Sequence, residues 1–322
     1  MSTYYTDDTV TLHEGNCMTV LPTLPTGSAD CIVTSPPYFG LRDYGHPDQH
    51  GLEESPAQYV ETMRSVFAEC RRVLADDGTL WLNLGDSYYS GRGNPGPNAA
   101  DTKQPARRGW VRPVDRPGQA WAAPKNLLGI PWRVAFALQD DGWILRNAIV
   151  WHKLNRMPES VRDRLATAHE HVFLFSKSRR YFFNLDAIRE DRKYEFPPRG
   201  GNKHASHRGY ARYGGNAMSM TVTGTYQTAG RNPGDVWTIP TSPFPEAHYA
   251  VMAPAVARRC LLAGCKPGGA VLDPYHGAGT TGMVAGQLGL RYVGIELSRD
   301  NLALSLRTRM AQAAMADGGE AS

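Results

Sequence analysis

The chain has 322 residues, of which 41% are hydrophobic, so it can bury a sizeable core and wholesale disorder is excluded. Lys and Arg number 35 against 31 Asp and Glu, which excludes a globally polybasic protein. The charge is instead uneven: residues 90–125 hold seven Lys/Arg and two Asp, residues 189–215 seven Lys/Arg and three acids, and two basic segments on a mildly acidic body point to a localised anionic partner.

In chain order, the first ordered block starts near Thr9. Asp30–Thr34 is a short apolar run halted by Pro36 and Pro37, the pattern of a buried strand that ends abruptly. Ser55 predicts a helix N-cap, with Pro56 at the first helical position and Gln58 completing a capping box. Tyr59, Val60, Met63, Val66, Phe67, Cys70, Val73 and Leu74 then fall on one helical face. Gly78 ends that unit and Thr79–Leu84 reads as the next strand, which makes a βαβ unit in a mostly parallel sheet. Periodicity vanishes from Asp86 to Asn126. It resumes with a helix at Pro131–Gln139 and strands at Trp143–Trp151 and His171–Ser176, then fails again between Arg189 and Asp235. Long irregular stretches inside a compact domain are usually functional loops or disordered ones. After Pro254 come a helix to Ala263, the strand Ala270–Asp273, a Gly-rich turn, a helix, the strand Arg291–Glu296 and a closing helix from Arg299.

Val271-Leu272-Asp273-Pro274-Tyr275-His276-Gly277-Ala278-Gly279-Thr280-Thr281 is therefore a strand, a Gly-rich turn and a helix start. Glycines there allow close backbone approach to a ligand, and the helix N-terminus offers free N–H groups. Glu296 follows at the end of the next strand, where an acid can accept hydrogen bonds from ribose hydroxyls. No P-loop lysine is present, so a nucleoside-bearing cofactor without a triphosphate fits better than ATP. His276 inside this turn reads as a pocket wall rather than a general base. Directly after the first strand, Thr34-Ser35-Pro36-Pro37-Tyr38 fixes the backbone with two prolines and presents an aromatic ring at a sheet edge, either as a stacking platform or as a loop that merely ends the strand.

Ser35-Pro36-Pro37-Tyr38 together with Asp273–Thr281 resembles the amino-methyltransferases of DNA, which use S-adenosylmethionine to methylate cytosine N4 or adenine N6. The catalytic motif comes first, then the basic region, then the cofactor motif, an order similar to the circularly permuted beta class. The resemblance extends over Ala68–Tyr88, Asn147–Phe183 and His248–Cys265. It implies an α/β fold, a Rossmann-like methyltransferase domain over 1–322 with a mostly parallel seven-stranded sheet, helices on both faces and a loop-rich DNA-recognition region. Residues 90–125 would be a basic insertion and 186–240 the target-recognition region. Carried over residue by residue, Asp273, Tyr275, Gly277, Gly279, Thr280 and Thr281 would form the methionine side of the cofactor pocket. Glu296 would hold the ribose, Asn16 would lie by the adenine where many relatives have Asp, and His248 would sit near the methionine end. Ser35, Pro36, Pro37 and Tyr38 would form the catalytic base pocket. Tyr275 stands where the family usually has Phe.

Ser35 favours cytosine N4, because adenine enzymes commonly carry Asp at that position; adenine N6 is the alternative. N-methylation of RNA or of protein glutamine is a second alternative, opposed by the motif order. A DNA-binding module without catalysis is a third, opposed by the intact motifs. Arg107, Arg108, Arg208 and Arg212 alternate with aromatics in the basic segments and are expected to contact double-stranded DNA. Trp151 and Lys153 line the base pocket in one reading, with Trp151 a buried strand residue in the other. His169, Glu170 and His171 lack partners at metal-ligand spacing and read as strand-edge residues, so no metal is expected. Five scattered cysteines argue against a disulfide framework or a zinc site. A polar N-terminus and the lack of a long apolar run predict a cytoplasmic protein. The resemblance is compatible with a monomer or homodimer and with a cognate restriction enzyme acting as a separate partner.

Overall fold

The computed structural model describes residues 2–89, 121–156, 158–191, 230–242 and 252–311. Nine strands form one sheet: β1 (Ser2–Thr6), β2 (Val10–Glu14), β3 (Ala29–Thr34), β4 (Leu74–Leu84), β5 (Ile144–His152), β6 (His169–Ser176), β7 (Val236–Thr238), β8 (Ala270–Asp273) and β9 (Arg291–Glu296). Their order is β1-β2-β9-β8-β3-β4-β6-β5-β7. The helices are α1 (Cys17–Val20), α2 (Pro56–Val73), α3 (Ile130–Asp140), α4 (Pro254–Gly264), α5 (Thr280–Gln287) and α6 (Arg299–Ser305), the last continuing as a π-helical turn over Leu306–Met310.

The α/β class and the helices on both faces are as expected, but the sheet is larger than seven strands and less parallel. β1 forms an antiparallel hairpin with β2 at one edge, β6 runs antiparallel to both β4 and β5, and the short β7 adds parallel to β5 at the other edge. β1 and β7 escape sequence reading for physical reasons. Most of β1 is exposed and polar, and β7 is three residues long with only Trp237 buried, so neither carries a hydrophobic period.

Strand alternation sends two sets of side chains to opposite faces. Ile32, Leu80, Leu82, Phe173 and Phe175 meet α2 and α3 through Tyr59, Met63, Phe67, Val134 and Leu138. Cys31, Val33, Trp81, Val172 and Val271 meet α4, α5 and α6 through Val256, Cys260, Val284 and Leu302. The α2 start is as read: Ser55 Oγ accepts from the Gln58 amide at 3.2 Å. The arrangement that matters for the site lies at the sheet centre. β3 pairs in parallel with β8, Cys31 and Ile32 opposite Val271 and Leu272, so the loops leaving both strands emerge side by side at the same sheet edge. In an open α/β sheet, that is where ligands bind.

Candidate active site

Asp273, the last residue of β8, is buried, and its Oδ1 accepts from the Thr34 hydroxyl at 2.7 Å and the Tyr275 amide at 3.0 Å. One carboxylate oxygen thus ties the Gly-rich turn to the residue immediately before Ser35. Burial pushes the Asp273 carboxyl up to about 6, against the opposing pull of these hydrogen bonds. Glu296 closes β9 in a related way. Its Oε2 accepts from the Gly277 amide at 2.8 Å, and its Oε1 from the Ser298 amide at 2.9 Å and Asn301 Nδ2 at 3.2 Å. Burial pushes this carboxyl up as well.

The Gly-rich turn is braced from behind. Buried His276 contacts Tyr292 Oη at 2.8 Å through Nδ1 and Ser305 Oγ at 2.7 Å through Nε2. Because the Ser305 hydroxyl donates to the Leu302 carbonyl, it accepts from Nε2–H, and Nδ1 accepts from the tyrosine. His276 is spent on structure, in keeping with a wall residue. Gly279 has φ +80°, and a Cβ there would meet Ser305 at 2.9 Å and Met310 at 3.0 Å. The absence of a side chain at Gly279 lets the turn pack on the C-terminal helix.

The loop after β3 forms the facing wall. Tyr59 Oη donates to the Pro37 carbonyl at 2.9 Å, fixing the Pro-Pro segment to α2. The Tyr38 hydroxyl lies 2.8 Å from Glu170 Oε2, 3.2 Å from Asn83 Oδ1 and 3.4 Å from Ser35 Oγ. Glu170 also accepts from Asn83 Nδ2 and forms an ion pair with Lys153, whose ammonium lies 4.6 Å from the centre of the Trp151 ring. Burial first, and the neighbouring Glu170 carboxylate second, hold the Tyr38 phenol far above its usual range, so it remains a donor. Glu170 and Asn83 were not legible as site residues. Glu170 falls within a His-Glu-His run that reads as a strand edge, and β6 indeed starts there.

A cleft with a cavity volume of about 150 Å³ joins the two walls. Ser35, Pro37, Asn16, Asp273, Tyr275, Gly277, Thr280, Thr281 and Glu296 line it. Tyr44, His46, Asp48, Gln49 and His50, from the segment between the proline pair and α2, also line it, and sequence reading missed all five. Their only signal was proximity in the chain to the Pro-Pro-Tyr motif. Asn16 caps α1, accepting from the Met18 amide at 2.8 Å and donating through Nδ2 to the Asp48 carbonyl at 3.1 Å. The Thr280 hydroxyl, buried at the head of α5 and in the cleft lining, has no hydrogen-bond partner among the described residues. A polar ligand in this cleft would satisfy it.

One expected position needs correction. Trp151 is 2% exposed, packs in the core beneath the sheet and donates through Nε1 to the Ile239 carbonyl at 2.9 Å, so it offers DNA no surface and the buried-strand reading holds. Pro36 is buried between Ser35 and Pro37, and those two neighbours line the cleft. Arg107, Arg108, Arg208, Arg212 and His248 lie outside the described residues, as does most of 90–125 and of 186–240. The described ends of the latter segment pair with each other through a bridge between Glu190 and Arg231 and join the sheet through β7. The five cysteines are free and buried, and no described helix is long and apolar enough to cross a membrane.

Comparison with known proteins agrees with this geometry. The chain is 47% identical over 295 residues to the Type II methyltransferase M.XycI of Xanthomonas campestris pv. cyanopsidis, spanning 92% of this chain and 86% of the relative. Among solved structures, PvuII DNA methyltransferase (cytosine-N4-specific) superposes with a TM-score of 0.64 at 16% identity, covering 99% of this chain and 96% of that one. TTHA0409 of Thermus thermophilus, a putative DNA modification methylase solved in complex with S-adenosyl-L-methionine, gives 0.54 at 20% identity over 94% and 95% of the two chains. The DNA methylase family model for N6 and N4 enzymes matches residues 29–307. With most of its length matched by that family and by a relative of such identity, the chain belongs to the N6/N4 DNA methylases.

Proposed function

We propose that this Type II DNA methyltransferase transfers a methyl group to the N4 amine of cytosine in double-stranded DNA. The observation that carries the reading is the shared cleft, whose lining brings Ser35 together with the Gly-rich turn and Glu296. The methyl donor is S-adenosylmethionine, which supplies an electrophilic methyl on a sulfonium. The cleft fits such a group: it brings the Gly-rich turn and Glu296 together with Ser35, carries a Thr280 hydroxyl unpartnered among the described residues, and has no lysine among its described lining residues. Asn16, Asp273, Tyr275, Gly277, Thr280, Thr281 and Glu296 would hold it.

The chain's own residues then have a definite task. An exocyclic aromatic amine is a poor nucleophile because its lone pair is delocalised into the ring. The Ser35 hydroxyl oxygen and the Pro36 carbonyl would accept its N–H bonds, favour pyramidalisation and free the lone pair for in-line attack, with positioning supplying much of the acceleration. The base must first leave the duplex, and the Tyr38 ring, held by Glu170 and Asn83, offers a face to stack on it. The preference for cytosine rests on Ser35. A hydroxyl both accepts and donates, where an ionised carboxylate only accepts.

The basic segments 90–125 and 186–240 supply phosphate contacts and target recognition in this reading, Arg107, Arg108, Arg208 and Arg212 among them. The enzyme acts in the cytoplasm, in a restriction-modification system with an endonuclease of the same recognition sequence. Nucleoside mass spectrometry of DNA from a host expressing the chain tests the base, and long-read modification mapping gives the sequence context. N4-methylcytidine is expected. N6-methyladenosine alone would move the assignment to adenine and leave the reaction class intact.

A further inference from the structure

Tyr275 adds a hydroxyl where the family usually has the apolar Phe, and the structure supplies that hydroxyl with a partner. His50 Nδ1 shares a hydrogen bond of 2.8 Å with Tyr275 Oη, and the two rings meet edge to face with centroids 5.8 Å apart. Both groups are half-buried and both line the cleft. Cys17 approaches the same hydroxyl from α1.

His50 ends a self-contained loop. The Gly40 amide donates to the Gly51 carbonyl at 2.7 Å and closes its base. Gln49 braces its interior, accepting from the Tyr44 amide at 2.7 Å and donating to the Arg42 carbonyl at 3.2 Å. Gly51, at φ +96°, turns the chain where a Cβ would meet Pro37 and the Tyr38 carbonyl at 3.2 Å, so the loop's exit is packed directly on the catalytic segment. Two hydrogen bonds carry this unit across the cleft to the facing wall. One is Asn16 Nδ2 to the Asp48 carbonyl; the other is His50 to Tyr275.

We infer that His50 and Tyr275 form a clasp that holds residues 41–50 over the cofactor side of the cleft, making His50 a positioning residue for the methyl donor. The geometry gives the clasp two consequences. It closes the cleft over the donor, and it fixes the distance between the Gly-rich turn and the loop that leads out of Ser35–Tyr38. The pair acts as a unit: the hydroxyl without the imidazole, or the imidazole without the hydroxyl, leaves a half-buried polar group facing an apolar ring. Removing both restores an apolar contact.

The clasp rests on the S-adenosylmethionine reading, and the test separates the two. Calorimetric titration of the full chain with S-adenosylmethionine would compare the wild type with Tyr275→Phe, His50→Leu and the double variant. Each single variant should bind about five- to tenfold more weakly, as loss of one buried hydrogen bond implies. The double variant should bind no more weakly than the weaker single one. In steady state, KM for S-adenosylmethionine should rise in the single variants while KM for DNA stays constant. Hydrogen exchange of residues 41–50 in the ligand-free chain should quicken in both single variants, a readout independent of cofactor. Additive losses, or singles that bind and exchange like the wild type, would overturn the clasp. Failure of the wild type to bind S-adenosylmethionine would overturn the cofactor reading; the clasp would then stand or fall on the exchange rates of the ligand-free variants.

Discussion

On the cofactor wall, Asp273 and Glu296 spend their oxygens on amides and hydroxyls of the adjoining turns, and His276 has a partner on each ring nitrogen. On the catalytic wall, Ser35 Oγ has, among the described residues, only a long 3.4 Å contact to Tyr38, while the Tyr38 hydroxyl is gripped by a carboxylate that is itself paired with a lysine. One wall is set by backbone geometry, the other by side chains reaching across from β4, β5 and β6. The difference fits their tasks. A wall that cradles a fixed cofactor gains from rigid main-chain contacts. A wall that must act on an incoming amine needs an acceptor left free and a ring held still.

The largest expected effects fall on the catalytic wall. Ser35→Ala and Tyr38→Ala should each lower turnover on DNA by about a hundredfold or more, the scale for removing one transition-state contact, with S-adenosylmethionine affinity close to wild type. Normal turnover in both would break the contrast between the walls. Glu296→Ala should do the reverse and weaken S-adenosylmethionine binding by about tenfold to a hundredfold, since it removes charge-assisted hydrogen bonds of about 1.5–3 kcal/mol. Unchanged affinity by calorimetry would remove Glu296 from the pocket.

Two smaller effects sharpen the picture. Glu170→Gln should lower kcat by about tenfold without changing S-adenosylmethionine affinity, because the neutral amide loosens both Tyr38 and Lys153. Tyr38→Phe should produce the same split, and the double variant should add little to either. On the other wall, Asp273→Asn should alter the pH dependence of stability. The folded carboxyl titrates near 6, above its unfolded value, so folding takes up a proton between about pH 4 and 6 and stability falls as pH rises through that window. Above it the wild type bears a constant penalty on the order of 2–3 kcal/mol. The asparagine variant lacks this slope, so the difference in Tm between the two proteins should shift in its favour from pH 4 to pH 7 and then level off.

The smallest expected effect is at Cys17, the one cysteine in the cleft lining among the described residues. Burial pushes its thiol up to about 11, so it stays protonated at neutral pH and is no nucleophile. Cys17→Ala should keep turnover within about threefold, a barrier change under 1 kcal/mol, and the product should contain no 5-methylcytosine, whose formation requires a cysteine adding to the ring. A covalent complex with a fluorinated cytosine in DNA would contradict this.

The elements that carry hydrophobic period were legible in the sequence: α2 from its cap and buried stripe, β8 and β9 to the residue, and α3, α4, β5 and β6 to within two residues of their ends. The Gly-rich turn and Ser35–Tyr38 were legible because their chemistry is local. What escaped depends on distance. Glu170 reaches Tyr38 from 132 positions away, and His50 reaches Tyr275 from 225. Neither residue type nor spacing announces such a pair, since a glutamate between two histidines and a histidine in a polar loop are ordinary surface patterns until the sheet order brings them in.

The placement of β3 between β4 and β8 also bears on how the protein is made. During synthesis, β3 and α2–β4 leave the ribosome early, and domains fold as their parts emerge. The other flank of β3 waits for β8, which is separated from it in the chain by the whole of β4 to β7. Until then β3 presents an unpaired edge of Cys31, Ile32 and Val33, a template for wrong pairing of the kind chaperones shield. The Thr34–Asp273 hydrogen bond, spanning 239 positions, can close only after β8 has emerged. A nascent chain is therefore silent toward the genome it is destined to mark, and it acquires its chemistry late, when the last strands slot in beside the first.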